Sequence, residues 1–366
     1  MPDLKTKDPT PGELIVQAID RAHELEQDDE FRPHLGASAI GTECERALWY
    51  GFRWTTRGQF SGRILRLFRR GHREETTIVA DLRRIGMEVL DENPATGDQW
   101  RYSRLNGHFA GSCDGLGRKV PGFGDEPFLL EFKTHGAKSF NALAKHGIEK
   151  SKPIHVAQQR MYLHWQGFAR SLYVAVCKDD DRLFVDVIEA DPLQAAQLEA
   201  KALRVITAPA PPARISDDPD FFQCRFCDHS PTCHGEKVAT RTCRSCISST
   251  PNVESGPEWS CDQGIDLTID QQRAGCDRHR YIPDLIPFAK AVDADLESRA
   301  IHYDLIASDG TTERFVNGHR SEGHYTSAEL EQITPQLIID DGFALLRGKF
   351  DGELISVETV NDEGVA

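Results

Sequence analysis

The chain has 366 residues, 39% of them hydrophobic and 28% charged, with a formal net charge of -15 and a mean hydropathy of -0.47. That length allows one large domain with one or two small ones, at roughly 100 to 200 residues each, and so acidic a balance argues against a protein that coats nucleic acid indiscriminately. No apolar run approaches the roughly 18 residues a membrane helix needs, and the opening MPDLKTKDPTPGE lacks the apolar core of a signal peptide, so a cytoplasmic protein with no membrane partner is expected.

A first helix is expected from Pro11 to about Glu26, where Leu14, Ile15, Ala18, Ile19, Ala22 and Leu25 recur at helical spacing. In ASAIGTECERALWYGF, Ser38 offers an N-cap for a second helix that stops before TTRGQFSG. The stretch GRILRLFRRGHREETTIVADLRRIG predicts a long helix, apolar at Ile64, Leu65, Leu67, Phe68, Ile78, Val79 and Leu82 and ending at Gly86. Between Arg46 and Arg84 ten arginines face only Glu74, Glu75 and Asp81. A solvated helix face and a wall for phosphate groups both account for this basic patch.

The period then changes to two. MEVL, NGHFAGSCDGLG and EPFLLEFKTH, separated by turn-forming residues, predict a meander of three strands. Helices are expected from about Ala137 to His146 and from about Pro153 to Gln166, then strands in RSLYVAVCK and RLFVDVIEA, and a last helix from Pro192 to Ile206. This order predicts an α/β fold. The proline-rich TAPAPPARISDDPD marks a boundary before a cysteine-rich stretch. Beyond it, PFAKAVDADLESRAI reads as a short helix, HYDLIASDGTTERFVNG as a hairpin, YTSAELEQ as a helix start and the acidic ETVNDEGVA as disordered.

PFLLEFKTHG raises a question of charge. Glu131 and Lys133 leave one face of a strand while Phe132 points to the other, and unpaired charge on a core strand is costly. Asp114 closes the preceding strand, so antiparallel pairing would set it beside Glu131. Two carboxylates with an open side suit Mg2+ or Mn2+, which retain several waters, and a neighbouring lysine can orient water and neutralise phosphate charge. An ordinary exposed pair on an edge strand is the plainer alternative. Two further patterns weigh against it: Gln158 and Tyr162 share a helix face at i and i+4, and His72 and Glu75 stand at i and i+3.

Together His72, Asp114, Glu131-Phe132-Lys133 and Gln158-x-x-x-Tyr162 resemble the PD-(D/E)XK nucleases of the RecB type, over about residues 38–233. The resemblance implies a restriction-endonuclease-like core, a mixed central sheet flanked by helices. It implies a divalent metal on His72, Asp114, Glu131 and the Phe132 carbonyl, with Lys133 activating water. Gln158 and Tyr162 would hold DNA near the scissile phosphate, Glu75 would serve a second metal or a water, and Arg66, Arg69, Arg70 and Arg73 would line the DNA channel. Imidazole ligation would make Mn2+ an effective substitute for Mg2+. The implied activity is that of a DNA exonuclease in DNA processing or recombination, in a bacterial or phage-infected cell. Single-stranded DNA or DNA ends would be its substrate, and a strand-annealing or single-strand-binding protein its neighbour. A single-strand endonuclease of the same fold and a non-catalytic DNA-binding adaptor are the alternatives.

Ten cysteines without a secretion signal point to metal ligation or catalysis rather than disulfides. Cys224, Cys227 and Cys233 lie within reach of one centre, which zinc with His229 or His234 completes most simply. With Cys44 far upstream, they resemble the iron-sulfur nucleases of the AddB and CRISPR-associated type, which implies a 4Fe-4S cluster on Cys44, Cys224, Cys227 and Cys233 clasping the two ends of the nuclease domain. Further on, a C-x2-C at Cys243 and Cys246 and a C-x2-H at Cys276 and His279 form a zinc pattern, with Cys261 competing for a place and a second iron-sulfur centre as the alternative. Cys113 and Cys177 read as small buried hydrophobes. The expected domains are therefore a nuclease domain at 1–236, a zinc-ribbon-like module at 237–285 and a small α+β region at 286–366.

Overall fold

The computed structural model describes residues 8–27, 31–306, 310, 312–320, 324–333, 335 and 355–356; the tail ETVNDEGVA lies outside them. The chain opens with α1 (Pro11–Glu26), β1 (Leu35–Gly36), α2 (Glu45–Phe52), α3 (Gly62–Arg84), β2 (Glu88–Leu90), β3 (Trp100–Arg104), β4 (Phe109–Cys113), β5 (Gly115–Arg118) and β6 (Phe128–His135). Next come α4 (Ala137–Ser151), α5 (Pro153–Gln166), β7 (Arg170–Cys177), β8 (Leu183–Glu189) and α6 (Pro192–Thr207). Shorter elements follow: α7 (Phe222–Arg225), α8 (Ser230–Cys233), β9 (Ser249–Pro251), β10 (Trp259–Cys261), β11 (Ile265–Asp266) and α9 (Ile269–Ala274). The last are β12 (Lys290–Asp295), β13 (Ala300–Ile306), β14 (Thr312–Asn317), α10 (Ser327–Leu330) and β15 (Ile355–Ser356). Among the described residues no helix is long and apolar enough to cross a membrane.

The chain divides into two compact units, Met1–Glu30 with Gly58–Tyr102 and Gly111–Ala196, and Phe31–Arg57 with Ser103–Ala110 and Gln197–Ala366. This differs from the expected boundaries at 236 and 285. Residues 31–57, with Cys44, group with the cysteine-rich stretch because α2 buries Leu48, Trp49, Tyr50 and Phe52 and ties into the later chain, Trp49 Nε1 donating to the Ala208 carbonyl and Arg46 Nη1 to that of Pro212.

In the first unit a five-stranded sheet runs in the order β2-β5-β6-β7-β8. All its pairs are antiparallel except β6 with β7. Parallel neighbours need a long crossover, and α4 and α5 supply it. Alternation along β6 and β7 sorts the side chains. Phe128, Leu130, Phe132, Leu172, Val174 and Val176 pack with Ile78, Val79 and Leu82 of α3. Tyr173 and Ala175 join Leu143, Ile148 and Val156 of α4 and α5. The expected three-strand meander is present as β2-β5-β6, while NGHFAGSCDGLG splits into β4 and β5 at Asp114. The helix expected to end at His146 continues to Ser151 through a kink at Gly147, whose φ of 72° a glycine adopts without a Cβ clash.

Three contacts set the seat of α1 on α3. Gly62 Cα approaches the Asp20 backbone so closely that a Cβ there would lie 2.3 Å from Asp20 Cα. The Gly62 amide donates to Glu24 Oε1 at 3.0 Å, and Arg66 pairs with Asp20.

The second unit carries an antiparallel sheet β11-β10-β9 and a four-stranded sheet β12-β13-β14-β15. Between Trp54 and Trp259 lies the fully buried guanidinium of Arg244, 3.7 Å and 4.6 Å from the ring centroids. It donates to the carbonyls of Phe52 and Pro33 and to Gln272 Oε1, which satisfies the polar edge while the faces stack on aromatics. Two local expectations are corrected here. Ser38 caps no helix: it sits in a 3-10 turn, Ala37–Ala39, and α2 starts at Glu45 with Cys44 at its N-cap. Lys201 Nζ takes the carbonyls of Ile40 and Thr42, which removes them as helix acceptors. PFAKAVDADLESRAI is not helical; its first half is β12, paired with β13 from Lys290↔Asp304 to Asp295↔Ala300. Pairing with β13 overrides the helix preference of its Ala and Lys residues.

Candidate active site

Asp114 and Glu131 meet because β5 and β6 are antiparallel, with Gly115 opposite Leu130. The Asp114 amide donates to the Leu130 carbonyl at 3.2 Å, and Asp114 Oδ2 accepts from the Phe132 amide at 2.6 Å. Glu131 is 1% exposed. Its Oε1 accepts from Lys133 Nζ and, at 2.9 Å, from Gln158 Nε2, whereas Oε2 is buried with no hydrogen-bond partner among the described residues. Lys133 Nζ also donates to the Phe132 carbonyl at 3.1 Å, so that oxygen, an expected metal ligand, is engaged by the lysine. The Phe132 ring lies on the opposite face, in the core beneath α3.

The electrostatics are those of crowded acids. Burial, partly countered by Lys133, pushes the Glu131 carboxyl up to about 7. Burial also raises Asp114, and burial together with the Asp114 charge raises Glu75. Burial opposes the Lys133 ammonium, but Glu131, Asp114 and Glu75 outweigh it and hold its pKa above the usual lysine value. His72 is exposed, with Nδ1 3.7 Å from Glu75 Oε1, and its charge favours the ionised form of Asp114.

Among the described residues, no three His, Cys, Asp or Glu side chains form a group able to hold a metal ion as they stand. A Mg2+-type site needs less, because such an ion binds through one or two carboxylates and keeps its waters. Asp114 and Glu131 fit that requirement: hard oxygens, an unpartnered buried Oε2 and raised carboxyl pKa values that a cation would relieve.

Gln158 and Tyr162 do share a helix face, but both are buried, at 5% and 1% exposure. Gln158 holds Glu131 Oε1 and lies 3.5 Å from the Tyr162 hydroxyl. Tyr162 in turn crosses Gly111, where a Cβ would stand 2.3 Å from its hydroxyl oxygen. Gln158 thus fixes one oxygen of Glu131, with Tyr162 packed behind it. Of the four arginines expected to line a channel, Arg66 is engaged by Asp20 and Arg70 donates to the Lys178 carbonyl. Arg69 and Arg73 are exposed.

A second polar group next to this site was not singled out from the sequence. The Tyr173 hydroxyl lies 2.9 Å from His135 Nε2 and 3.0 Å from His155 Nδ1, and Ser139 Oγ links His135 to Lys152 Nζ. Burial, with lysines around them, pushes His135 down to about 4 and His155 to about 3. The signal was in the spacing: His135 stands two residues after Lys133 on the same strand face, and His155 three before Gln158 on the same helix face.

In the other unit the cysteines fall into two groups. Burial raises the thiol pKa of Cys224, with the charges of Cys233 and Cys44 adding to it, and burial likewise raises Cys227, which also feels Cys44 and Cys233. Cys224 and Cys227 thus each respond to Cys44 and Cys233, although among the described residues these thiols do not form a metal-holding group as they stand. The His229 ring lies beside Tyr50, ring centroids 5.9 Å apart, while its backbone amide favours the Cys227 thiolate. Burial pushes Cys243 up to about 12, with Cys246, Cys276 and Cys261 contributing in that order. His279 is 1% exposed, with Nε2 3.2 Å from Ser245 Oγ. The buried Cys113 and Cys177 are free thiols.

The site is thus a mixed sheet bearing a carboxylate-lysine pair on one strand and a carboxylate at the end of its antiparallel neighbour. Particular proteins stand beside it as follows. No protein-family model and no curated protein matches the chain. Among solved structures it is similar to SSO0001 at TM-score 0.37 and 15% identity, over 59% of this chain and 94% of that one. It is similar to the alkaline exonuclease LHK-Exo from Laribacter hongkongensis at TM-score 0.33 and 16% identity, over 50% of this chain and 90% of that one. For a phage-related exonuclease from Haemophilus somnus 129PT the values are 0.26 and 14%, over 36% and 65%.

Proposed function

We propose that the chain is a metal-dependent deoxyribonuclease that removes nucleotides from DNA ends. The observation that carries this reading is Glu131: a buried carboxylate with one oxygen fixed by Lys133 and Gln158, the other unpartnered, and Asp114 beside it. Asp114 and Glu131 would hold Mg2+ or Mn2+, with Glu75 and His72 nearby on α3. A divalent cation there supplies a Lewis acid for the phosphate and lowers the pKa of bound water.

The remaining work falls to the chain's own residues. Gln158 Nε2 fixes the rotation of the Glu131 carboxylate, so that Oε2 keeps one direction. Lys133 Nζ, bridging Glu131 Oε1 and the Phe132 carbonyl, is placed to orient a water by hydrogen bonding and to offset charge gathering on the phosphate oxygens. Arg69 and Arg73 on α3 would contact flanking phosphates. In the other unit Cys44, Cys224, Cys227 and Cys233 would hold a 4Fe-4S cluster with a structural role. Cys44 suits this because its side chain makes no capping bond at the head of α2. Iron present in anaerobically purified protein and lost in Cys44→Ser tests that part.

The nuclease reading is tested with end-labelled single- and double-stranded DNA in Mn2+, alongside circular single strands. Wild type is expected to shorten the linear substrates from an end and spare the circle, and Lys133→Ala to lower the rate by about 100-fold or more. Undiminished cleavage by Lys133→Ala, or no cleavage by wild type, refutes the nuclease; cleavage of the circle replaces exonuclease with endonuclease.

A further inference from the structure

Four cysteines that the proposed chemistry leaves unused border one cavity of 440 Å³: Cys243, Cys246, Cys261 and Cys276. Each sits at a turn in which the backbone folds back on itself. The Cys246 amide donates to the Cys243 carbonyl at 3.0 Å, the Gly264 amide to that of Cys261 at 2.9 Å, and the His279 amide to that of Cys276 at 3.1 Å. These are short, rigid turns of the kind that present sulfur from a knuckle. At one sulfur an amide is already aimed: Arg280 N donates to Cys246 Sγ at 3.5 Å. A thiolate is strengthened by such donors.

The sulfurs' present partners are weak. Cys243 Sγ lies 3.4 Å from the Gln271 carbonyl and Cys261 Sγ 3.7 Å from Asp262 Oδ1. A χ1 rotation into the cavity gives up little. Ile265, Leu267 and Ala274 close part of the wall; Arg278 and Arg299 stand at it as cations, Arg299 paired with Asp262, and Asp277 borders it as well.

His279 borders the same cavity, and its buried Nδ1 has no hydrogen-bond partner among the described residues, but the rest of the residue is engaged. Its ring packs edge-on against Tyr281 at 4.7 Å, its Nε2 lies on Ser245 Oγ, and its carbonyl accepts from Ser327 Oγ at 2.7 Å. The nearby sheet consists of strands of two and three residues, too short to hold together by pairing alone. A structural metal supplies what such a module lacks.

We propose that Cys243, Cys246, Cys261 and Cys276 together bind one structural zinc ion, and that Cys261 takes the fourth place instead of His279. This site is independent of the nuclease reading. The test is zinc and iron content, with zinc-edge X-ray absorption, on the full chain purified without oxygen. Wild type is expected to hold one zinc in a sulfur-only shell at about 2.3 Å; a nitrogen shell at about 2.0–2.1 Å would put the histidine back and overturn the assignment. Zinc should persist in His279→Gln and Cys44→Ser and be lost in Cys261→Ser. Loss in Cys44→Ser with retention in Cys261→Ser places the ion on the other cysteine group and refutes the proposal, as does a wild-type protein without zinc. If Cys261→Ser does not fold, the wild-type spectrum still decides, and Lys133→Ala, which leaves zinc unaltered, separates this result from the fate of the nuclease reading.

Discussion

Glu131 is held where its charge is least welcome. Its folded-state carboxyl sits at about 7 against an ordinary 4.5, because burial raises it more than Lys133 lowers it. Between these values the folded protein keeps a proton that the unfolded chain has released, so stability falls as pH rises through the window. His135 and His155 run the other way. They stay neutral when folded and charge when unfolded, so their contribution is lost as pH falls from about 6.5. The two effects overlap, and the difference between wild type and Glu131→Gln isolates the first. In metal-free protein, wild type should lose melting temperature relative to Glu131→Gln from pH 4.5 to about 7, and Mg2+ or Mn2+ should flatten the difference; a flat difference without metal would contradict the assignment. At this scale the period-two pattern put Glu131 and Lys133 on one face and Phe132 on the other. It could not reveal that Gln158 turns inward, since helical spacing fixes a face and not whether that face meets solvent or a carboxylate.

The seat of α1 on α3 depends on the absence of one carbon. With the Asp20 backbone so close to Gly62, Gly62→Ala has no flexible side chain to displace and must push the helices apart. A loss of about 1–3 kcal/mol is expected, read by urea unfolding, with hydrogen exchange quickening in α1 while β6 and β7 stay protected; unchanged exchange in α1 would show that the helix is held by other means. Elements such as α3, α5, β7 and β8 were legible because each carries one dominant period over many residues. The strand β12 was not. Its burial is slight, so its sequence answers to exposure and to its charged edge, with Lys290, Asp293 and Asp295 discouraging further pairing. Only its pairing with β13 makes it a strand. The short β1 escaped notice for a similar reason, being two residues that pair with Phe109 and Ala110.

As a whole the molecule is acidic, with 58 Asp and Glu against 43 Lys and Arg, so the proposed encounter with DNA would rely on a small basic area. Arg69 and Arg73 are exposed members of it on α3, with Arg63, Arg70, Arg83 and Arg84 also exposed along the helix. Binding of single-stranded DNA to protein without added Mg2+ or Mn2+ should weaken steeply with salt. Replacing Arg69 and Arg73 by alanine should lower the slope of log affinity against log salt by about 1.4, at ~0.7 per lost single-strand contact. An unchanged slope would move the DNA path off this helix.

The division of the chain into interleaved units has a consequence for its synthesis. Residues 31–57 leave the ribosome early, but the groups that cover them come much later: Ala208 for Trp49, at a separation of 159 residues, and the Arg244 that lies between Trp54 and Trp259, at 192 from Phe52. At ~5–20 residues per second, that leaves an aromatic-rich nascent segment uncovered for roughly 8 to 40 seconds. Meanwhile the five-stranded sheet is complete once Glu189 has emerged. The unit that starts at Phe31 must wait for chain made long after the sheet is complete, and until those residues arrive it is a standing client for whatever shields sticky chain in the cell.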